Sequence, residues 1–155
     1  MRFVGRAADD AVEVRPVALE DVLPIRQRIL RPHQRVQDVE FEGDRRPGAL
    51  HVGAFVADRL VGAASILPHA HPVLADPNTW RIRGMAVDDD LRDRGIGGAL
   101  LDRCLDHARS RGAALVWCNA RIGAVRFYER HAFVSEGDPF DVDLIGRHVR
   151  MRRTL

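Results

Sequence analysis

The chain has 155 residues, of which 46% are hydrophobic and 30% charged, and its formal net charge is +2. That length suits one domain with a proper core and is short for two, so residues 1–155 are expected to form a single domain. No apolar run reaches the roughly 20 residues of a membrane-spanning helix, and residues 1–10 show no apolar signal-peptide core, so a cytoplasmic location without a membrane partner is expected.

All 24 cationic residues are arginine, because the sequence contains no lysine. They are scattered among 22 acids instead of gathered into a patch, which weakens a nucleic-acid-binding reading and suits a smaller anionic partner. Cys104 and Cys118 lack metal-ligand spacing and read as buried thiols.

Val12 to Val17 alternates apolar with charged residues and predicts a first strand, with Pro16 favouring an edge. From Leu19 the period lengthens. Val22, Ile25 and Ile29 fall at helical spacing, Glu20 and Asp21 occupy the first turn where the helix dipole favours acids, and Pro32 closes the segment. Arg26, Gln27 and Arg28 lie on its polar face, which reads as solvated. Residues 31–48 hold two prolines and little periodicity, predicting a loop with one turn around Val36 to Phe41; a loop this long inside a compact domain is uncommon unless functional.

Leu50 to Val56 and Leu60 to Leu67 read as an antiparallel hairpin turning at Asp58-Arg59. His69 and His71 follow between prolines, with no third ligand at metal spacing, so no metal is expected. Trp80 to Val87 returns as a strand that Gly84 interrupts, the mark of a bulge or a close backbone approach. Ala99, Leu100, Leu101, Cys104, Leu105 and Ala108 predict an amphipathic helix beginning near Gly98 and stopping at Gly112. Ala114 to Cys118 is a short continuous apolar run, as in a parallel strand buried on both faces. A helix over about Gly123 to Arg130 and two antiparallel strands, from about Phe133 and about Gly146, complete the prediction.

Between strand and helix stands Arg92-Asp93-Arg94-Gly95-Ile96-Gly97-Gly98. Glycines let the backbone approach an anion, and amides at a helix start point their partial positive charge outward. A P-loop would need Gly-Lys-Ser/Thr, and a dinucleotide fingerprint would need glycine where Leu100 stands. What remains is Arg-x-x-Gly-x-Gly after Met85-Ala86-Val87-Asp88, which resembles the acetyl-CoA-binding motif of the GCN5-related N-acetyltransferase (GNAT) family. A second segment, Ala124-x-x-Phe127-Tyr128-Glu129-x-x-Ala132-Phe133, resembles that family's A-x-x-x-Y-x-x-x-G-F signature. It departs from it at Ala132, where glycine is usual, and at Arg121, where asparagine is frequent.

The resemblance implies an α/β (α+β) fold: a mixed, largely antiparallel central sheet of about seven strands, parallel strands splayed in the middle, and helices on both faces. It implies that the amides of the loop, with Arg92, Arg94, Gly95, Ile96, Gly97 and Gly98, hold the pyrophosphate of acetyl-CoA, while Met85, Ala86 and Val87 bond the pantetheine arm through their backbone. On this reading Gly97→Glu abolishes cofactor binding and leaves the fold largely intact.

The activity implied is direct transfer of acetyl to a primary amine, on a small molecule or a protein, within a ternary complex. Such an amine must lose a proton before it attacks. Amides near Met85 and Ala86 are candidate oxyanion donors, and Tyr128 is the candidate acid for the departing thiolate. Relatives often carry a basic glutamate on the strand before the loop, but Trp80 to Val87 has no carboxylate. Glu42, His69, His71, Asp76 and His148 are the remaining candidates for the base, and His148 is preferred because Gly146-x-His148-x-x-Met151 resembles the end of an uncharacterised bacterial branch of the family. Since the first helix and the loop after it line the acceptor cleft in that family, Arg26 and Glu42 are candidate substrate contacts. A CoA-binding sensor without turnover is the alternative reading, a nucleic-acid-binding module the third, and the C-terminal strands are a candidate homodimer contact.

Overall fold

Strand β2 (Ala11–Val17) alternates buried Val12 and Val14 with more exposed neighbours, as its period predicts. It is followed by α1 (Leu19–Leu30), β3 (Leu50–Val56), β4 (Arg59–Pro68), β5 (Thr79–Val87), α2 (Ile96–Ser110), β6 (Leu115–Arg121), α3 (Val125–Arg130), β7 (Val134–Val142) and β8 (Gly146–Thr154). A short β1 (Arg2–Val4), absent from the sequence-based expectation, precedes them. The structure, a computed structural model, describes residues 2–4 and 11–155; residues 1 and 5–10, part of the stretch read above for an export signal, lie outside it. Among the described residues no helix is long and apolar enough to cross a membrane.

The strands form one eight-stranded sheet in the order β1-β2-β3-β4-β5-β6-β8-β7. Every neighbouring pair is antiparallel except β5 and β6. Strand β1 covers only Ala11 to Glu13 of β2, so Pro16 has no partner on that side and its missing N–H breaks no ladder there.

The helices fall on opposite faces. Ile96, Leu100, Leu101, Cys104, Leu105 and Ala108 of α2 pack with Val61, Ala64, Ile66, Trp80 and Ile82 of the sheet. On the other face, Leu19, Val22 and Ile25 of α1 pack on Ala63 and Ala86. Burying each of the larger aliphatic side chains stabilises by about 1.5–3 kcal/mol, and these two contacts clamp β4 and β5 from both sides.

Several boundaries differ from the sequence reading. The hairpin turns at Ala57-Asp58, with Ala57 at φ 51°, so Arg59 already belongs to β4. Helix α2 starts two residues earlier than expected, at Ile96. The segment before α3 opens as a 3-10 turn over Ile122–Ala124.

The solvated face assigned to α1 is corrected at Arg26, which is 1% exposed. It donates from Nη1 to Asp44 Oδ2 at 2.7 Å and to Val39 O at 2.9 Å, and from Nη2 to Ser65 Oγ at 3.1 Å. Asp44 Oδ2 also accepts the Phe41 amide at 2.6 Å, and His51 donates from Nε2 to Asp44 O at 2.9 Å. This buried ion pair gives residues 31–48 a fixed course across the sheet, including the turn expected there, which appears at Val36–Asp38. Periodicity could not reveal it, because an arginine with a partner 18 positions away looks like any polar-face residue.

Candidate active site

The opening in the sheet is set by where hydrogen bonding stops. Strands β5 and β6 pair only at Thr79 with Leu115, Trp80 with Val116 and Arg81 with Trp117. Beyond Arg81 the two strands run on without a ladder between them. Carrying the register forward places Asn119 level with Arg83, and Arg121 level with Met85, across the gap. On the far side of β5 the pairing with β4 slips between Ala63 and Ser65, where Gly84 takes φ +65°. A Cβ on Gly84 would lie 2.9 Å from Arg26 Nε, so the bulge is seated against the buried ion pair. Met85, Ala86 and Val87 follow this bulge, as the glycine in the strand predicts.

From Val87 the chain turns through residues 88–95 into α2. The turn is anchored by Asp88, whose amide donates to Val61 O at 2.8 Å and whose Oδ1 accepts from Arg28 Nη1 at 2.7 Å. Asp93 at φ 62° and Gly95 at φ 82° are left-handed, and the passage from left-handed Gly95 into right-handed Ile96 turns successive amides to one concave side. No side chain caps α2, so the first-turn amides of Ile96, Gly97 and Gly98 have no intrahelical acceptor and remain available to an anion. Arg92 is exposed beside Asp89 at 2.9 Å, and Arg94 is half-buried. The donor set therefore fits a pyrophosphate.

Gly97 and Gly98 have a second duty that their spacing does not disclose. A Cβ at Gly97 would stand 3.1 Å from Phe127 Cε1, and one at Gly98 would stand 3.1 Å from His131 Cε1. Helix α3 is thereby pressed onto the start of α2, which brings Tyr128 into the core beside Phe127, ring centroids 5.0 Å apart. Tyr128 is 5% exposed, and its hydroxyl bonds the Cys118 thiol just beyond the last β5–β6 pair. Burial first, with the neighbouring Cys118 and Cys104, raises the phenol well above its usual 10. Burial likewise pushes both thiols up to about 12, so neither is a ready nucleophile.

His148 is directly across from Arg121 in the β6–β8 ladder and is 7% exposed. Its neighbour Val149 is in the core with Tyr128, so alternation sets His148 on the opposite face of the sheet. The ring stacks on Phe140 with centroids 5.8 Å apart, and Nδ1 is 2.8 Å from Gly146 O. A carbonyl only accepts, so Nδ1 carries the proton in that contact and Nε2 is the nitrogen left to take one.

The remaining candidates are engaged with other neighbours. Glu42 is exposed, 3.4 Å from Arg46. His71 bonds Glu136, which also accepts from Arg150 at 2.8 Å, while His69 stands edge-on to Trp117. Asp76 accepts the Asn78 amide in a local turn. Among the described residues no three His, Cys, Asp or Glu side chains gather as a metal site would require.

An opening between parallel strands that ends on an uncapped, glycine-rich helix start fits an anionic ligand reaching into the sheet, and comparison with known proteins gives the family. Residues 18–133 match the Acetyltransferase (GNAT) family, and the chain belongs to it. By class it is an acetyl-CoA-dependent acetyltransferase. Over 144 residues it is 35% identical to "Uncharacterized N-acetyltransferase YitI" of Bacillus subtilis (strain 168), covering 93% of this chain and 97% of that one. The crystal structure of Escherichia coli ElaA superposes with a TM-score of 0.75 at 21% identity, covering 92% and 99% of the two chains. An aminoglycoside 6'-N-acetyltransferase complexed with coenzyme A gives 0.69 at 16% identity, covering 92% and 96%. These two structural likenesses concern the fold.

Proposed function

We propose that this protein acetylates a primary amine directly, with donor and acceptor bound together at the β5–β6 gap. The observation that carries the reading is the ladder that stops at Arg81 and Trp117 on a strand leading into the uncapped start of α2. The amides of Ile96, Gly97 and Gly98 would hold the pyrophosphate with Arg92 and Arg94 beside them, and the backbone of Met85 to Val87, unpaired on its β6 side, would receive the pantetheine arm. Acetyl-CoA supplies the activated thioester carbonyl.

Backbone donors at the bulge near Met85 and Ala86 would stabilise negative charge building on that carbonyl oxygen. Tyr128, kept protonated by burial, would give its proton to the leaving sulfur from one face of the sheet. His148 Nε2 would take the proton from the acceptor ammonium, freeing the amine lone pair to attack, from the other face, beside Arg121. Both terminal nitrogens of Arg26 are committed to Asp44, Val39 and Ser65 and the residue is 1% exposed, so its part is to support the bulge at Gly84 rather than to touch the acceptor.

Calorimetric titration with acetyl-CoA tests the reading first. Micromolar-range binding, weakened for a CoA fragment lacking the pyrophosphate, is expected; no binding would reduce the assignment to likeness of fold. Thiol release with added amines then tests turnover. Since the chain has no lysine side chain to acetylate, the signal reports the added amine. Binding without release for any amine would favour the sensor reading.

A further inference from the structure

On the α1 face of the sheet, beneath the loop of residues 31–48, arginines collect on and around β5. Arg81 and Arg83 project from β5 at alternate positions toward this face, and both are half-buried. Arg83 rests on the Phe41 ring, 4.3 Å from its centroid, and Arg31 approaches the same ring at 5.3 Å. Arg81 lies 4.6 Å over Trp117. An aromatic face supports a guanidinium from one side and leaves its N–H edges free.

Those edges lack partners. Of the acids whose charge reaches them, Asp44, near Arg83, is taken by Arg26, and Glu42, near Arg81, is exposed beside Arg46. Among the described residues neither Arg81 nor Arg83 has a side-chain hydrogen bond or an ion pair, and Arg81 Nε and Arg31 Nε are buried with no partner. Burial first, then the charge of Arg81, lowers Arg83 to about 10. Elsewhere on the same face the chain handles arginines differently: Arg150 and Arg152 both reach Glu136, at 2.8 and 3.1 Å. A purely structural role for Arg81 and Arg83 would call for a carboxylate of that kind. Its absence leaves partly desolvated donors without a paired counter-charge, a cost that an incoming anion removes.

We propose that the acceptor is a small primary amine that also bears an anionic group, a carboxylate in the first instance, and that Arg81 and Arg83 grip that group while the amine reaches the gap beside Met85. The proposal rests on the acetyl-transfer reading above. Arg83 stands two residues before Met85, roughly 7 Å along the strand, which suits an amine and a carboxylate separated by a few bonds. The planar fork of arginine matches a carboxylate with two parallel hydrogen bonds. The same positive charge repels acceptors carrying several ammonium groups, as an aminoglycoside does.

Two measurements test this. The first compares thiol release with an ω-amino acid, its carboxamide and 1,4-diaminobutane, using the wild type, Arg83→Ala and Arg83→Lys. The expected outcome is a kcat/KM at least 10-fold higher for the amino acid than for its carboxamide. Arg83→Ala should raise KM for the amino acid more than 10-fold, leave KM for the carboxamide within 2-fold, and leave acetyl-CoA binding unchanged, with Arg83→Lys restoring part of the loss. Equal use of the three amines, or equal losses for amino acid and carboxamide, would overturn the proposal. The second measurement needs no turnover: succinate should raise the melting temperature saturably in the wild type and not in Arg81→Ala or Arg83→Ala. No saturable shift, or one that both variants keep, overturns the anion site, whereas failure to bind acetyl-CoA with the succinate response intact overturns only the transferase reading.

Discussion

Helices α2 and α3 end in the same way with different residues, and that permits a controlled test of backbone strain near the site. After α2, the Gly112 amide donates to Arg109 O and the Ala113 amide to Ala108 O, both at 3.0 Å. After α3, the Ala132 amide donates to Glu129 O at 3.1 Å and the Phe133 amide to Tyr128 O at 3.0 Å. Both are Schellman endings, in which the residue after the cap must be left-handed. Gly112 takes φ +79° and Ala132 takes φ 66°. For a residue with a Cβ the left-handed region costs about 1–2 kcal/mol, and the greater freedom of glycine in the unfolded chain returns part of any gain. Ala132→Gly should therefore stabilise by about 0.5–1 kcal/mol, or about 1–4 °C in Tm for a domain of this size. Gly112→Ala, whose new Cβ would meet nothing within 4 Å, should destabilise by about 1 kcal/mol through backbone strain alone. Thermal unfolding followed by far-UV circular dichroism reads both. A fall in Tm for Ala132→Gly, or no change for Gly112→Ala, would refute the reasoning. Because Phe133 packs on Tyr128 with ring centroids 5.3 Å apart, the first variant also tests whether the placement of Tyr128 tolerates the usual glycine.

Removing the acid of the buried pair, as in Asp44→Ala, strands the Arg26 guanidinium and should cost about 3–5 kcal/mol, read as a lower urea midpoint; retention of the wild-type midpoint would mean the pair does not hold residues 31–48. Tyr128 is the single tyrosine of the chain, so ultraviolet difference absorbance reports it alone. Its folded pKa is raised above the unfolded value of about 10, so the unfolded chain loses the phenolic proton first and stability falls as pH rises past 10. No tyrosinate signal should appear before the fold is lost; a signal near pH 10 in the folded protein would place the phenol in solvent. Tyr128→Phe should lower kcat about 100-fold or more while acetyl-CoA binding, followed by calorimetry, stays the same.

What the sequence made legible were local or periodic features. The apolar spacing of α1 and α2, the alternation of β3 and the glycine of the β5 bulge each announce themselves within a few residues, because helix and strand periods are properties of the local chain. The loop from Arg92 to Gly98 and the segment around Tyr128 were readable as motifs for the same reason. Features made by distant partners were not. Arg26 and Asp44 are separated by 18 positions, and nothing in their neighbourhoods marks them as a pair. Strand β1 is three residues long, too short for alternation to register. Arg81 and Arg83 read as ordinary polar positions of a strand until Trp117 of β6 and Phe41 of the loop above supply their rings and no ion pair joins them among the described residues.

The glycines of the α2 loop show how a motif compresses two requirements into one residue type. Read from the chain alone, Gly97 keeps the backbone open for a phosphate, and a glutamate there repels the ligand while the fold persists. The structure adds a packing requirement: a Cβ at Gly97 would stand 3.1 Å from Phe127 Cε1 rather than in open space, so any side chain there requires the Phe127 ring to give by a few tenths of an ångström. Charge and packing are separated by two other changes. Gly97→Ala adds a single methyl at 3.1 Å from a ring carbon, which should cost about 1 kcal/mol of stability and lower kcat through Tyr128, with acetyl-CoA affinity within about 3-fold. Arg94→Glu reverses a charge on the loop, away from that contact, and should weaken acetyl-CoA about 10-fold or more without moving the urea midpoint. Parallel losses of affinity and stability in both variants would mean that the loop and α3 form one unit, and that the glycines serve packing alone.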